Sequence, residues 1–319
     1  MKIYSIGTAT LDVFFIINNL NMLKKLKEKN DVDKCLVDIG GGGLNFAYTF
    51  QKLGLDSTAV IKLGNDFIGK FIKKIIEEKK IKTHIITTKG NSSLSFIFLS
   101  KTGKKYIFTH RANEIFKAKD IPFIYNKSYY ISTGKTPVNE WLKIISVLKQ
   151  KNNFIGINPS KYFLISLKQK KNKFPLVDFL NINFYEAQLI MGYKSSYPDK
   201  IYFLRKLKEK LDFLNYILVT DGNNGSWLLK DKIYHCEAYK KMKVLDTTGA
   251  GDCFGSTFFG LLIKNNFKDS ENELKEYLKY ATINTAYNLS KIGAQTGILS
   301  WIELKKYKNE NLKIKIFKL

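Results

Sequence analysis

Three features of this 319-residue chain predict an α/β fold, with a mostly parallel central sheet covered by helices on both faces. Short β-rich runs alternate with helical stretches along most of the length, the rhythm of repeated strand–helix–strand units. Glycine-rich turns lead into helices at two widely separated places. The hydrophobic fraction, 45% with 14% aromatic residues, is enough for a large core and excludes a mostly disordered polycation.

The first element is a short apolar strand over residues 2–7, followed by a β-rich run at 11–17 that carries one acid, Asp12. Residues 24–34 form a charged connection. The run Gly40-Gly41-Gly42-Gly43-Leu44-Asn45 then opens a helix over 45–53, whose small and apolar residues suit burial. Residues 57–63 read as a strand, and 68–79 as an amphipathic helix with Ile68, Phe71, Ile72, Ile75 and Ile76 on one face. Runs at 93–100 and 105–110 flank Thr102-Gly103, a hairpin signal. The second half repeats the alternation: strand 128–132, helix 140–149, strand 154–158, a helix, strand 179–182, and a helix from about Glu186. Strands at 216–220 and 225–230 precede two long helices, over 249–264 and 273–290. The strands near 11–17, 32–39, 93–100 and 105–111 lack helical partners and predict a smaller sheet that acts as a flap. Five prolines are too few for a proline-rich linker, so one domain over residues 1–319 is expected.

The 53 Lys+Arg against 28 Asp+Glu leave a formal charge of +25. Only Arg111 and Arg205 are arginines, whereas base and phosphate recognition favours the planar, bidentate guanidinium. Lysine runs at 24–25, 79–80, 104–105, 170–171 and 240–241 are spread over the whole chain. Solvated surface lysine, of the kind that A+T-rich codon usage produces, is favoured over a nucleic-acid patch, and no specific nucleic-acid partner is expected. Cys35, Cys236 and Cys253 are far apart and odd in number, which disfavours a disulfide scaffold and fits a reducing compartment. No apolar run approaches the roughly 20 residues of a membrane span. Gly7, Thr8 and Asp12 interrupt the N-terminal apolar stretch, so the expectation is a cytoplasmic protein with no membrane partner.

The segment richest in chemistry is Asp246-Thr247-Thr248-Gly249-Ala250-Gly251-Asp252, followed by Cys253-Phe254-Gly255 and an apolar helix. Glycines just before a helix let backbone N–H groups converge on an anion, where the helix dipole also favours negative charge. Asp252 falls in the first turn, beside the place a phosphate would take. A carboxylate there repels the phosphate unless it has a task, and the natural one is to accept the proton of an attacking hydroxyl. The plain alternative is a helix cap behind an ordinary turn. In the run over 40–45, glycines would let a polyhydroxylated ligand come close to the main chain. Asn45 offers an amide there, and Asp12 could accept hydrogen bonds from the same hydroxyls. The alternatives are a cap for Asn45 and an exposed strand face for Asp12.

These segments together resemble the ribokinase-like carbohydrate kinases of the phosphofructokinase-B family. DTTGAGD is similar to the family's C-terminal signature, and GGGGLN followed by FAYTFQKLG to its N-terminal one. Further landmarks run in family order: Gly64-Asn65-Asp66-Phe67-Ile68-Gly69, then Arg111-Ala112-Asn113, then residues 118–121. Asn183-Phe184-Tyr185-Glu186 resembles the Asn-x-x-Glu motif, and Gly293-Ala294-Gln295 a late loop. The resemblance spans residues 3 to 300.

It implies a ribokinase-like three-layer fold with a small β-sheet lid, and ATP-dependent phosphorylation of a hydroxymethyl group on a sugar or sugar-like substrate. Asp252 matches the general base, and Gly249, Ala250 and Gly251 the anion hole that holds charge on the transferred phosphoryl group. Asp12, Gly41, Gly42 and Asn45 match sugar-contacting positions. Asn183 and Glu186 match residues that organise Mg²⁺, its waters and the nucleotide phosphates; taken alone, the pair reads as a capped helix start. Thr220, Gly222 and Gly225 belong to a turn that resembles the nucleotide-binding one; taken alone, its Asn-Asn-Gly is a hairpin signal. Asp246, Thr248, Asn288, Lys291 and Gly293 fall where many relatives bind a monovalent cation, mostly through main-chain carbonyls, K⁺ being expected. Pairing of lids into a homodimer is also implied.

Two other readings stand beside this one: an adenosine-type nucleoside kinase, and a catalytically idle, basic binding protein. The intact Asp252, GAGD and Asn-x-x-Glu segments speak against the latter. Arg111 departs from the family's usual Gly, and it either contacts an acidic or phosphorylated substrate or sits at the flap surface. Ile157-Asn158-Pro159 matches an Asn-Pro variant that leans towards ribokinase-type members. Gly134-Lys135-Thr136 is not a P-loop, because Tyr129 stands where its first glycine is needed. Cys253 reads as a packing residue, and His84, His110 and His235 show no ligand spacing.

Overall fold

The structure, a computed structural model, describes residues 1–24, 29–112, 115–170, 173–192 and 199–319. A parallel strand buried on both faces must be apolar or small throughout, and β1 (Ile3–Ile6) is buried at all four residues. The chain then leaves the main sheet for β2 (Thr10–Ile17) and β3 (Lys34–Gly40). It returns through α1 (Gly42–Lys52), β4 (Ser57–Gly64), α2 (Phe67–Glu78) and β5 (Thr83–Thr88). A hairpin, β6 (Ser93–Ser100) and β7 (Lys105–His110), leaves again. The regular alternation follows: β8 (Ser128–Ser132), α3 (Val138–Gln150), β9 (Phe154–Asn158), α4 (Lys161–Gln169) and β10 (Phe179–Asn183). Next come α5 (Phe184–Met191), α6 (Lys200–Lys210) and β11 (Tyr216–Thr220). The last part holds β12 (Ser226–Leu229), β13 (Lys232–Cys236), α7 (Ala250–Lys264), α8 (Glu271–Leu289), α9 (Trp301–Lys305) and β14 (Ile314–Lys318).

The main sheet has ten strands in the order β14-β13-β12-β11-β10-β9-β8-β1-β4-β5. Pairing is parallel from β11 to β5 and antiparallel from β11 out to β14. One face carries Trp141, Ile144, Phe163, Phe203 and Leu207 from α3, α4 and α6. The other carries Phe46, Phe50, Phe258, Phe259 and Leu278 from α1, α7 and α8. Helix α2 adds Ile72 and Ile76 to a third cluster beside β4. These helix–sheet–helix layers are the predicted α/β architecture. The carboxyl ends of β1, β8, β9, β10 and β11 all open on one edge, the crevice where parallel sheets of this kind place ligands.

The second sheet has the order β3-β2-β6-β7. Its register sets Asp12, Asp38, Ser95 and Thr109 side by side, and sets Val13, Val37, Phe96 and Phe108 on the opposite face. The strand limits differ slightly from expectation: β3 starts at Lys34, not 32, and β7 stops at His110, leaving Arg111 outside. Helix α1 begins at Gly42, so the glycine run enters its first turn. Unanticipated elements are β5, α6, α9, β13 and β14.

Candidate active site

Helix α7 starts from Gly249, whose φ of 74° is left-handed. A side chain there would be strained, and its Cβ would stand 2.8 Å from that of Ala294. After the first turn every residue from Cys253 to Ile263 is buried, which fixes the helix against the sheet. The first-turn N–H groups are therefore held at a fixed place beside the crevice, with Ala250 N also donating to the Thr247 carbonyl at 3.4 Å. No described atom lies within 4 Å of where a Cβ on Gly251 would stand, so no packing contact accounts for this glycine.

Asp252 projects from the same turn. Its Oδ2 accepts a hydrogen bond from Asn45 Nδ2 at 2.8 Å, and its Oδ1 accepts one from Asn158 Nδ2 at 3.1 Å. The carboxylate is thus oriented by amides from α1 and β9. Burial raises its affinity for a proton, and the Asn45 hydrogen bond only partly opposes this. Asn181 Nδ2 donates to the Gly251 carbonyl at 3.0 Å and braces the turn.

Two contiguous cavities flank the turn, sharing Thr220, Thr247, Ala250 and Gly251. One, of about 300 Å³, is mainly apolar and includes Gly222, Gly225, Tyr239, Met242, Val244 and Leu289. The other, of about 250 Å³, is polar and includes Asn158, Asn183, Glu186 and Asp252. An apolar slot that ends at a helix N-terminus suits a flat aromatic group joined to an anionic tail.

Asn183 and Glu186 form a reciprocal capping box at the start of α5: Glu186 N donates to Asn183 Oδ1 at 2.9 Å, and Asn183 N to Glu186 Oε2 at 2.8 Å. Both also line the polar cavity. Burial raises the Glu186 carboxyl, and the Asp252 charge adds to the effect. Among the described residues no cluster of three or more His, Cys, Asp or Glu could hold a metal by itself. Asn183 and Glu186 on the wall of the polar cavity fit Mg²⁺ that keeps most of its waters and leans on phosphate oxygens.

On the other flank of Asp252 stands the small sheet. Asp12 is buried there because residue 40 is glycine; a Cβ would come within 2.1 Å of Asp12 Oδ2. Burial pushes the Asp12 carboxyl up to about 6, helped by the charges of Asp38 and Asp246 and opposed by hydrogen bonds from Ser95 and Thr10. Asp12 lies outside both cavities. The glycine run serves packing more than expected: Gly42 N and Gly43 N donate to Thr8, and a Cβ on Gly42 would strike Ser132 at 2.5 Å. Gly41, at φ 90°, allows that turn.

A hydrogen-bonded chain joins the two acids' surroundings. Asn45 Oδ1 accepts from Gln295 Nε2 at 3.1 Å, Gln295 Oε1 from Lys79 Nζ at 3.0 Å, and Asp38 Oδ1 from the same Lys79 Nζ at 2.6 Å. Sequence reasoning did not assign these functions to Asn158, Gln295, Lys79 or Asp38. Asn158 and Gln295 stood in segments noted only as landmarks, and Lys79 and Asp38 carried no motif.

The side chains expected around a monovalent cation are engaged within the protein. Asp246 Oδ1 accepts from Lys105 Nζ at 2.9 Å, Thr248 N at 3.0 Å and Thr248 Oγ1 at 2.6 Å, while Oδ2 accepts from Gly293 N at 3.1 Å. Burial opposes the Asp246 charge, but Lys105 and Thr248 outweigh it and hold the carboxyl below its usual range. The Asn288 amide is spent on Ala294 O and Gly297 N. Lys291 is exposed and its side chain is not drawn in. The Asp246 carboxylate is already neutralised by Lys105, so this side chain does not fit a free K⁺. Arg111 is exposed just past β7, and Asn113 lies outside the described residues. His84 and His110 are exposed, and His235 stacks on Trp227 at 4.0 Å.

A profile of the pfkB family carbohydrate kinases matches residues 2–302. The chain is 26% identical over 316 residues to a ribokinase of Dictyostelium discoideum, covering 91% of this chain and 95% of that one. A solved ribokinase structure from Giardia lamblia superposes with a TM-score of 0.78 at 19% identity, covering 97% of this chain and 98% of its own. The phosphofructokinase-2 of Escherichia coli, solved in complex with potassium, gives 0.75 at 16% identity, covering 96% and 97%. No described helix is long and apolar enough to cross a membrane.

Proposed function

Since the chain belongs to the pfkB family of carbohydrate kinases, and is therefore a phosphotransferase, we propose that it moves the γ-phosphoryl group of ATP to a hydroxymethyl oxygen of a sugar or sugar-like substrate. The observation that carries this reading is Asp252: a carboxylate oriented by two amides, beside a helix N-terminus whose Gly251 leaves open space.

The adenine is assigned to the apolar cavity beside Gly222 and Gly225, with Thr220 at the junction to the polar one. The phosphates run to the start of α7. There the N–H groups of Gly249, Ala250 and Gly251 face the charge that gathers on the equatorial oxygens. As the substrate oxygen bonds to phosphorus and the bond to the ADP oxygen breaks, Asp252 takes the hydroxyl proton. A raised proton affinity makes it the better acceptor at that moment. Mg²⁺, held through water by Asn183 and Glu186, supplies neutralising charge for the phosphates when bound. Asp12, Gly41, Gly42 and Asn45 are assigned to the substrate side, where closure of the small sheet as a lid excludes water. The lid's outer face exposes Val37, Phe96, Tyr106 and Phe108, which supports pairing of two copies through it.

ADP release is measured with Mg²⁺ against ribose, fructose, 2-keto-3-deoxygluconate and adenosine. Turnover of a sugar supports the reading, and turnover of adenosine alone replaces it with the nucleoside kinase. Asp252→Asn is expected to abolish transfer while folding and ATP affinity persist; comparable turnover in that variant would falsify the mechanism. Sedimentation at micromolar concentration tests the pairing, and a monomer there removes it.

A further inference from the structure

Asp246 anchors the candidate site from below. Its two carboxylate oxygens tie the turn that enters α7, through Thr248, to the turn that follows α8, through Gly293. The side chain is fully buried, and an unpaired carboxylate at such a place is strongly unfavourable. The required positive charge comes from the other sheet. Lys105 is the first residue of β7 and lies on the same face of the small sheet as Asp12, Ser95 and Thr109. Its side chain is 16% exposed, and the ammonium sits 2.9 Å from Asp246 Oδ1 and 2.6 Å from Thr248 Oγ1. The hairpin turn ahead of it rests on the same segment: a Cβ on Gly103 would stand 3.4 Å from the Leu245 carbonyl oxygen. The Lys105 contacts therefore seat this end of the small sheet on the segment leading to α7, with Gly103 close beside it.

We propose that Lys105 is a tethered cation that takes the place of a free monovalent ion at Asp246, so that ordering of the α7 turn depends on the seated small sheet and not on K⁺. The inference rests on the kinase reading of that turn. A lysine on the chain is present at a high effective concentration whatever the salt, and it releases Asp246 only when β7 lifts away. Lys105 is a positioning residue: it touches Asp246 and Thr248 and acts on the anion hole through them.

The test compares the wild type with Lys105→Met, which keeps the apolar stem and removes the charge, in buffers of equal ionic strength made with tetramethylammonium or potassium chloride. For the wild type, kcat is expected to differ by less than about twofold between the two salts. For Lys105→Met, kcat falls on the order of tenfold or more in tetramethylammonium, and potassium restores most of it. A readout without substrate accompanies this. Potassium raises the Tm of Lys105→Met by about 2 °C or more over tetramethylammonium, and leaves the wild type unchanged. Stabilisation or activation of the wild type by potassium overturns the inference. So does a variant that keeps full activity in tetramethylammonium, or one that potassium neither stabilises nor rescues. If Lys105→Met does not fold, the wild-type Tm comparison still decides. Because the Tm readings need no turnover, failure of the kinase reading leaves them interpretable.

Discussion

Replacing Asp12 by Asn is expected to make the protein more stable and a poorer enzyme, and the size of both effects follows from one number. The Asp12 carboxyl is pushed from 3.8 to about 6 by burial. The unfolded chain releases this proton about two pH units earlier than the folded one, so ionised Asp12 costs the fold about 3 kcal/mol at pH 7.5. With a raised folded value, the stability is present below pH 3.8 and is lost as pH rises through 6. Asn carries no such charge. Asp12→Asn should therefore raise the Tm by several degrees at pH 7.5, and by about half as much at pH 5, where the folded wild type keeps its proton. Catalysis runs the other way. If ionised Asp12 accepts the substrate's hydroxyls, the free enzyme at pH 5 holds the competent form at about one site in ten, and kcat/KM falls about tenfold from its value at pH 7.5. The assay is coupled ADP release across pH 5–8, run beside thermal denaturation of each protein. The wild-type limb near pH 6 should vanish in Asp12→Asn, which retains only a uniformly low kcat/KM. A variant with unchanged kcat/KM, or a lower Tm at pH 7.5, would refute the reasoning.

Gly251→Ala should fold normally, with a helix-propensity gain of up to about 1 kcal/mol, yet lose kcat on the order of a hundredfold, because the methyl enters the space assigned to the phosphoryl group. Normal turnover would remove the anion hole from that place. Gly249→Ala should behave oppositely in stability, losing about 2 kcal/mol or more from left-handed strain and the clash with Ala294, as read by urea unfolding. Asp120→Ala should cost about 3 kcal/mol or more, since it strands Lys62 at 11% exposure beside Phe116. The double replacement Lys62→Met with Asp120→Leu should recover most of that loss, and a double variant no better than the single one would contradict the argument.

The central architecture was legible because buried parallel strands such as Ile3–Ile6 and Tyr216–Thr220 are nearly continuous apolar runs between glycines and polar ends. The turn before α7 was legible because its residue types make chemical sense only together. Edge elements were not. β5 reads THIITT, a half-polar segment with no buried residue, and its identity as a strand comes from pairing with β4. For β12 and β13 the reversal of direction was signalled by Asn223-Asn224-Gly225 and by connections too short for a parallel crossover, whereas β14 is placed only by its pairing with β13. The alternative local roles also coexisted with the functional ones: Asn183 and Glu186 do cap their helix, and they also line the cavity. Lys105 was invisible for a different reason. It is one of fifty-one lysines (53 basic residues less two arginines), and its partner is 141 positions away. Only the register of β7 against β6 selects it.

Asp252 is gripped by residues 45 and 158, and Asn45 in turn by residue 295. The carboxylate proposed as the base thus closes loops of 207 and 94 residues, with a further loop of 250 behind it. Such closures come late, because their entropy must be met before any contact rewards it. A growing chain on the ribosome can fold its first strands and helices, but the proposed base is not held in position until residue 295 has emerged. On that assignment nascent fragments are expected to be silent, and the return of turnover during refolding should time the last event of assembly.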